Sequence, residues 1–419
     1  MENITTSLDK WIKAPPAPAK NTYVFVDAQD LNLILSDRER VLDFKRLRVF
    51  LEEIYGKFVS PVLYLAGYEE AFVPRKNYLR QERTIKKLER LGFEVKRCVK
   101  YGTSSGEVIK KGSETSLAID LYHYAHPSLD AYDKAVVLCG DGRKYERLTT
   151  SLREGYDKHI IVLSLSDLYE SNYEEYETFI DKTSVPCSEC AGSFSIPGAN
   201  ESDKSLYFES ICAQLFSDRA KARRKSFSRN CLKASIYVDY GNVHHSFQDF
   251  KRRNPKFKGV SEAEFFTRLR EKAERGNNLT RSVLWMGVPK VKISELKSMR
   301  RKKEALKKEL ERAGYEVNFL YHEVLYQKGI KERGVDLSIA VDAIRDALSD
   351  KSEKIILVSG DADFVPVVRK LSALQKQVEV WSFVKPILNS PLSPFLAYEL
   401  SKSDREIFNS LKPLEKIIN

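Results

Sequence analysis

The stretch Tyr237-Val238-Asp239-Tyr240-Gly241-Asn242 ends a short apolar run, and a later run ends in Val358-Ser359-Gly360-Asp361-Ala362-Asp363-Phe364. Between them lies Gly334-Val335-Asp336-Leu337-Ser338-Ile339-Ala340-Val341-Asp342. Related stretches occur about 220 residues earlier in the same order, at 25–30, 112–120 and 138–143. Three motifs in one order at nearly constant spacing predict a duplicated domain.

The repeat divides the chain of 419 residues into two domains of ordinary length. The residues between the copies break the alternation of apolar runs and contain Pro186, Pro197 and several serines, so we interpret them as a linker. The predicted boundaries are 1–20 for a flexible lead-in, 21–180 and 233–385 for the domains, 181–232 for the linker and 386–419 for a C-terminal extension. The extension is predicted to end in a helix over residues 395–411.

Strands and amphipathic helices alternate in both halves of the chain. Runs such as 355–358 are apolar throughout, as expected of strands that are covered on both faces. The predicted strands are 22–27, 61–65, 93–98, 135–139 and 159–163 in the first half, and 234–239, 281–286, 315–320, 354–358 and 377–383 in the second. This alternation predicts right-handed crossovers and a parallel sheet in each half, which is the α/β fold class.

The chain carries a net formal charge of +11 and has a sequence pI near 9.1. A basic chain favours an acidic partner, and nucleic acid is the commonest one. No apolar stretch approaches the length of a membrane span and the start is polar, so the sequence predicts a cytoplasmic protein without a membrane partner. A homo-oligomer is left open.

Six cysteines in 419 residues show no framework of the secreted type, which fits a reducing compartment. Cys187 and Cys190 have half of the spacing of a zinc knuckle, but no second pair of suitable ligands follows them. An unstructured linker is the simpler interpretation, and zinc at this position is left open.

Acidic residues follow the predicted strand ends of the second half. Asp239 ends the first strand, Asp361 and Asp363 follow the fourth, and Asp336 opens the helix before it. Carboxyl ends of parallel strands line one crevice, where converging carboxylates repel each other unless a divalent cation neutralises them. Oxygen ligands without His or Cys favour Mg²⁺ or Mn²⁺, and such a cation lowers the pKa of a bound water for phosphodiester hydrolysis.

Each of these acids also has a structural interpretation. Asp239 suits a hydrogen bond to a loop, and Asp336 suits a cap or first-turn position of a helix. Asp361 and Asp363 suit a turn and cap before the next helix. The catalytic interpretation rests on all of them lying at one predicted edge of the sheet, in register with a repeat.

Three further polar residues accompany the acids. Asn242 and Ser359 are short polar residues at the same strand ends, where they are candidates for orienting a metal or its water. Asp342 lies six residues after Asp336, a spacing that places it on a different face of the helix. It therefore suits a structural role as well as an orienting one.

Basic residues cluster near the same motifs. Arg300, Arg301, Lys302 and Lys303 are contiguous in a long predicted helix, where they suit either a solvated face or a track for phosphates. Three more cations, Lys328, Lys331 and Arg333, precede the glycine of the acidic motif. We predict that they grip the phosphates that flank the cut.

The three motifs of the second half together resemble the NYN domain family of PIN-like ribonucleases. The resemblance covers about 150 residues and implies a Rossmann-like α/β/α fold in each half. It also implies an endoribonuclease that depends on Mg²⁺ or Mn²⁺ and acts on single-stranded or structured RNA. Asp239, Asp336, Asp361 and Asp363 are the implied metal ligands, and together with Asn242 they form the implied catalytic set.

The first half resembles the same family but departs from it at the acids. Asp27 and Asp141 are kept, whereas Glu114 stands where the second half has Asp336 and Arg143 stands where it has Asp363. A positive charge at a cation site lowers metal affinity by direct repulsion. The first half is therefore predicted to be a degenerate copy.

Two other functions remain open at this point. One is an RNA-binding scaffold without catalysis, in which both sets of acids only shape the fold. The other is phosphatase or nucleotidase chemistry in the same crevice, which the sequence disfavours because Asp239 is followed by Tyr240 and Gly241 instead of a second nearby aspartate.

Overall fold

The computed structural model describes residues 22–55, 60–67, 75–102, 108–186, 231–289, 294–322, 334–383, 396 and 410–414. The chain divides into two compact units, Met1–Lys204 and Ser205–Asn419. Each unit contains its own six-stranded sheet with helices between the strands, so the predicted α/β class with tandem domains is confirmed.

The first unit has a sheet in the order β5-β4-β3-β1-β6-β7. All neighbours pair in parallel except β5, which runs antiparallel to β4 at the edge. A separate antiparallel pair joins β2 to β8. The elements are β1 (Thr22–Asp27), α1 (Ala28–Ser36), β2 (Arg40–Leu42), α2 (Phe44–Tyr55), β3 (Ser60–Gly67), α3 (Arg75–Arg90), β4 (Glu94–Gly102), β5 (Val108–Lys111), α4 (Ser113–Ala125), β6 (Lys134–Cys139), α5 (Glu146–Tyr156), β7 (His159–Ser164), α6 (Leu165–Ser171), α7 (Tyr173–Thr183) and β8 (Ser184–Pro186).

The second unit has a fully parallel sheet in the order β11-β10-β9-β12-β13-β14. Its elements are β9 (Leu232–Asp239), α8 (Tyr240–Arg253), α9 (Glu262–Glu274), β10 (Asn277–Pro289), α10 (Ser294–Arg312), β11 (Glu316–His322), α11 (Val335–Leu348), β12 (Lys354–Val358), α12 (Val365–Ala373), β13 (Gln377–Ser382) and β14 (Ser410–Pro413). Short 3-10 turns precede α5 at Gly142–Tyr145 and α12 at Ala362–Phe364.

The strand order places a switch point in each sheet. In the second unit the chain moves from β9 through β10 to β11 on one side, and from β12 through β13 to β14 on the other. Loops after β9 and β12 therefore separate and leave a crevice at the carboxyl ends of these two strands. The first sheet has the same switch between β1 and β6.

Buried apolar strands fix these sheets. Every residue of β6 and of β12 is buried, as expected of central strands that are covered by helices on both faces. Gly112 and Gly334 precede α4 and α11 with φ values of +81° and +78°, a left-handed conformation that side chains with a Cβ rarely adopt. The glycine of the repeated acidic motif thus provides the left-handed backbone conformation that precedes the helix in both copies.

The helix predicted over residues 395–411 is wrong at its end. Ser410 and Leu411 belong to β14, which pairs in parallel with β13. Leu411 is buried, and the neighbouring Lys412 forms an ion pair of 2.7 Å with Glu379 of β13. Backbone pairing with an open sheet edge and this charge contact outweigh the helical spacing that the sequence suggested.

None of the helices in the described ranges is long and apolar enough to cross a membrane.

Candidate functional site

Asp239 connects the end of β9 to the start of α8. Its Oδ1 accepts a hydrogen bond of 3.1 Å from the backbone N–H of Asn242, which makes it the N-cap of the helix. Its Oδ2 accepts a hydrogen bond of 3.0 Å from the hydroxyl of Ser359, the residue that follows β12. Asp239 is only 5% exposed, so two neighbouring strand ends hold this carboxylate in one orientation.

Ser359 links the two acidic motifs. While its hydroxyl donates to Asp239, its oxygen accepts a hydrogen bond of 3.2 Å from the backbone N–H of Asp361. Asn242 adds a second link, because its side-chain oxygen accepts from the N–H of Gly360 at 3.0 Å. Ser359 and Asn242 thus join the ends of β9 and β12 across the switch point, and their role in orienting a metal or its water stays a prediction.

Asp361 and Asp363 lie together at the 3-10 turn after β12. Asp361 is the N-cap of this turn, and its Oδ1 accepts a hydrogen bond of 3.1 Å from the N–H of Asp363. Both residues are half-buried. Asp361 thus caps the turn, as its structural interpretation expected. Asp239 makes the expected hydrogen bond to a loop through Ser359 and also caps α8.

Asp336 lies in the first turn of α11 and is half-buried. The C-terminal end of α11 connects directly to the start of β12, so its first turn lies toward the opposite, carboxyl edge of the sheet. The helix also packs against the 3-10 turn that carries Asp363. The structure thus places Asp336 at the edge that the sequence predicted.

Asp342 belongs to a buried polar network between α11 and the sheet. Its Oδ2 accepts from the Trp285 indole at 3.1 Å, and its Oδ1 pairs with Arg345 at 2.8 Å. The first unit repeats this arrangement, since the Tyr64 hydroxyl donates to Asp120 at 3.0 Å. A contact present in both copies favours the structural role for Asp342.

The first unit keeps the same frame around Asp27. Its Oδ1 caps α1 by accepting from the N–H of Asp30 at 3.1 Å. Asp30 takes the place of Asn242, and its Oδ2 accepts from the N–H groups of Gly140 and Asp141 at 2.9 and 3.0 Å. Burial raises the pKa of Asp27 most, and the neighbouring carboxylates of Asp30 and Glu114 raise it further, to about 7.

A lysine enters the acid set of the first unit. The ammonium of Lys144 lies 2.5 Å from Glu114 and 3.2 Å from Asp30. Burial alone would lower the pKa of Lys144, but Glu114 and Asp30 raise it above its usual value. Lys144 is therefore a charged group among carboxylates.

Arg143 keeps the predicted place relative to the cap, because its N–H donates to Asp141 Oδ1 at 3.2 Å as the N–H of Asp363 does to Asp361 at 3.1 Å. Its side chain, however, does not enter the acid set. Its guanidinium folds back onto Asp141, with a distance of 3.0 Å from Nε to Oδ1, and its side chain is 45% exposed. Lys144, and not Arg143, is the cation that contacts Glu114 and Asp30. No signal in the sequence pointed to Lys144, because counting from Gly140 and Asp141 places Arg143 opposite Asp363.

A groove of about 790 Å³ lies beside Tyr240, the residue that follows Asp239. Helices α8, α9 and α10 supply its polar lining, which includes Tyr240, His244, Gln248, Glu262, Lys302 and Lys303. Glu262 accepts from the Tyr240 hydroxyl at 2.8 Å and pairs with His244 at 3.0 Å. Burial would raise the pKa of Glu262, but hydrogen bonds from His244 and Tyr240 lower it. Sequence analysis missed this site.

The basic stretch of α10 divides into two parts. Arg300 pairs with Glu304 at 2.8 Å, and Lys303 donates to the carbonyl of Gly287. Arg301 and Lys302 are exposed, and Lys302 also lines the groove. Within the stretch 300–303, Lys302 is thus the basic residue that combines exposure with a place in the lining of the groove.

Several predicted residues lie outside the described ranges, namely Lys328, Lys331, Arg333, Cys187 and Cys190. Within the part of the chain that the structure does describe, no group of three or more His, Cys, Asp or Glu side chains is arranged to hold a metal ion.

The family model of the NYN domain matches residues 21–181 and 233–395, which together make up more than half of the chain. The chain belongs to the NYN domain family. NYN domains have a PIN-like nuclease fold, and the family consists generally of ribonucleases that usually use divalent metals. Membership with two tandem copies therefore points to a hydrolase that acts on RNA.

No curated protein matches the chain. Solved structures similar to this NYN protein include a dipicolinate synthase from Bacillus halodurans, with 11% identity, 95% of this chain and 91% of that chain covered, and a TM-score of 0.18. Another is UDP-GlcNAc 2-epimerase from Neisseria meningitidis, with 10% identity, coverage of 95% and 88%, and a TM-score of 0.20. TM-scores this low carry no argument about the fold or chemistry of this chain.

Proposed function

We propose that this NYN protein is a cytoplasmic, metal-dependent endoribonuclease whose second domain cuts RNA. The observation that supports this most is the link from Asp239 through Ser359 to Asp361, which joins two acids across the switch point of the second sheet. Open α/β sheets bind their ligands in the crevice at such a switch point, so acids that lie there are in a position to act on a substrate. The net charge of +11 favours a polyanionic substrate.

The donor set of the second domain fits Mg²⁺ or Mn²⁺ in its chemistry, because its candidate ligands are carboxylate oxygens without a soft partner. Asp239, Asp336, Asp361 and Asp363 would hold the cation. When bound, such a cation supplies a water of lowered pKa and stabilises negative charge on the phosphate.

The chain's own residues supply orientation. Asp239 is fixed by two hydrogen bonds, and Ser359 gives Asp361 its place relative to Asp239. Asn242 keeps the loop after β12 close to the first turn of α8 through Gly360. Groups held in position before substrate arrives lower the entropic part of the barrier.

The groove beside Tyr240 is the proposed route of the RNA chain. Its lining includes Tyr240 and Gly241, which follow Asp239 in the chain, and exposed Lys302 gives it a cation for phosphate contact. The ring of His244 stacks on Tyr240 with a centroid distance of 5.1 Å. Tyr240 is buried, whereas His244 is half-buried and lines the groove, so the ring of His244 is the one proposed to contact an unpaired base.

Matched substitutions in the two domains test this proposal. Asp239→Asn and Asp361→Asn should each lower the rate of RNA cleavage in Mn²⁺ by at least about 100-fold, because each removes a charge that the cation needs. The first-domain counterparts Asp27→Asn and Asp141→Asn should leave the rate within about twofold.

Cleavage that survives both second-domain substitutions would contradict the site. RNA binding without cleavage in either metal would instead support the non-catalytic scaffold. That alternative is favoured by one observation, namely that no group of three acids among the described residues forms a ready metal cage.

A further inference from the structure

The 3-10 turns that follow β6 and β12 differ in length by one residue. The turn in the first domain spans Gly142–Tyr145, whereas the turn in the second spans Ala362–Phe364. Tyr145 and Phe364 are the buried aromatic residues that end these turns, at 0% and 1% exposure. They therefore correspond to each other in space, although counting from Asp141 and Asp361 pairs Phe364 with Lys144.

The following helices support this correspondence. The buried residues of α5 at the third, fourth and seventh positions after Tyr145 are Leu148, Thr149 and Leu152. Those of α12 at the same positions after Phe364 are Val367, Val368 and Leu371. Because the buried spacing is the same, Lys144 and Asp363 hold the same place before the aromatic residue. Counted from the cap, Arg143 holds the place of Asp363, since the N–H of each donates to the Oδ1 of the capping aspartate. The additional residue of the first turn thus puts two cations where the second turn has one carboxylate.

A second exchange accompanies this reversal of charge. Asn242 of the second domain corresponds to Asp30 of the first, and both accept a hydrogen bond from the glycine N–H after the fourth main strand. The first domain thus has an additional carboxylate at Asp30 and an ammonium at Lys144, which lie 3.2 Å apart.

The geometry of Lys144 resembles that of an internal counterion. Its ammonium contacts Glu114 at 2.5 Å as well as Asp30, and its side chain is only 12% exposed. Glu114 occupies the position of Asp336, a proposed metal ligand of the second domain. The residues of the first domain therefore do not fit a divalent cation, since a lysine already neutralises Glu114, the counterpart of a proposed ligand, and Asp30 beside it.

We propose that the ammonium of Lys144 takes the place of the divalent cation in the first domain. The acid set of this domain is then an ion network that needs no metal, and Lys144 prevents it from binding Mg²⁺ or Mn²⁺. This inference does not rest on RNA cleavage by the second domain. It predicts that removal of one amino group converts the first domain into a metal site.

The test measures Mn²⁺ binding to the full chain by calorimetry and by electron paramagnetic resonance, in a background of Asp239→Asn with Asp361→Asn. This background weakens the second acid set, so the signal reports on the first. The background protein should bind no Mn²⁺, and adding Lys144→Met, which keeps a chain of similar length without the charge, should give one bound Mn²⁺ per chain. Adding Lys144→Arg should give none, because it keeps the positive charge.

Lys158→Met is the matched control. Lys158 is a buried lysine of the same domain, and its ammonium lies 2.5 Å from Asp130, outside the acid set. Lys158→Met should lower stability without creating Mn²⁺ binding. Lys144→Met should also lower stability, but Mn²⁺ should restore it, as seen in the midpoint of denaturation of the first domain.

Three outcomes would overturn the inference. They are Mn²⁺ binding by the background protein that Asp27→Asn removes, no gain of Mn²⁺ binding in Lys144→Met, and equal gains in Lys144→Met and Lys158→Met. If Lys144→Met does not fold without metal, refolding in Mn²⁺ gives the same answer: recovery supports the inference, and failure in both conditions contradicts it.

Discussion

The two domains keep their structural contacts and change the contacts at the crevice. In both, an aspartate of the helix before the fourth main strand accepts a hydrogen bond from a buried aromatic side chain, Tyr64 to Asp120 and Trp285 to Asp342. At the crevice, by contrast, Ser359 corresponds to Cys139, and the residue before the buried aromatic changes from Asp363 to Lys144. Asp120 and Asp342, whose contact is kept in both domains, thus belong to the fold, whereas the residues that differ between the two crevices are the candidates for chemistry.

The edges of the sheets differ as well. Ile161 of β7 occupies the position that Glu379 has in β13, since they pair with Val136 and Ile356 of the preceding strands. Glu379 is 5% exposed and forms ion pairs with Lys354 at 2.8 Å and Lys412 at 2.7 Å. Within the described ranges, the second sheet thus binds a further strand at this edge, β14, through a buried charge, and the first sheet ends at β7.

The largest expected effect comes from Glu379→Gln. Removing one partner of a buried ion network leaves the others uncompensated, so the free energy of unfolding of the second domain should fall by about 3 to 5 kcal/mol. Chemical denaturation followed by hydrogen exchange in β13 measures it. Asp350→Asn, which removes an exposed pair with Lys376 at 2.7 Å, is the control and should leave the free energy of unfolding nearly unchanged, because solvent screens this pair.

The effect of Glu379→Gln should depend on pH. Burial would raise the pKa of Glu379, but Lys354 and Lys412 lower it below its usual 4.5. A carboxyl whose pKa is lower in the folded state stabilises the fold above pH 4.5, and this contribution is lost as the pH falls through the folded value. The difference between wild type and variant should therefore shrink below that pH, and a constant difference would contradict the ionic explanation.

The next effect concerns Ser359 and its counterpart. Ser359→Cys removes a strong hydroxyl donor to Asp239 and a good acceptor for Asp361, so the rate of RNA cleavage should fall by about 10- to 100-fold. Cys139→Ser makes the reverse change in the first domain, where the thiol donates to the carbonyl of Leu163 at 3.8 Å. Cleavage assays of both variants should differ sharply, and equal losses would argue against a special role for the second crevice.

The smallest effect comes from the basic helices. Lys302→Ala should weaken RNA binding a few-fold and reduce the slope of log affinity against log salt by about 0.7, the value for one phosphate contact on a single strand. Lys86→Ala removes a similarly exposed lysine from α3 of the first domain and should leave the slope unchanged. Fluorescence anisotropy over a range of salt concentrations measures both slopes, and equal slopes would place the RNA elsewhere.

The sequence predicted the main strands well because their signals are local. The strand at Lys354–Val358 has the predicted bounds, since an apolar run between charged turns has few alternatives. The helices α1 and α8 were not predicted, because each begins directly at the strand end, where Asp27 and Asp239 supply the cap. Short strands such as β14 depend on pairing with a distant partner, and a single chain segment does not reveal that.

The sequence located the acids of the second crevice, but it did not reveal the lysine and the groove that accompany the acid sets. Asp239, Asp361 and Asp363 follow strand ends that the pattern located, so their common edge was visible in the sequence. The role of Lys144 was not visible, because the additional residue in its turn shifts the correspondence and only the burial of Tyr145 shows the shift. The groove beside Tyr240 joins three helices, a combination that depends on packing between distant segments.

The pairing of β14 with β13 has a consequence for the order of folding during synthesis. A ribosome that has made β13 has not yet made Lys412, so the buried carboxylate of Glu379 then has Lys354 as its ionic partner from the sheet. The first domain, in contrast, has all six strands of its sheet once residue Ser164 has emerged. The domain with the internal lysine can therefore fold early, while the domain with the proposed chemistry completes its sheet late.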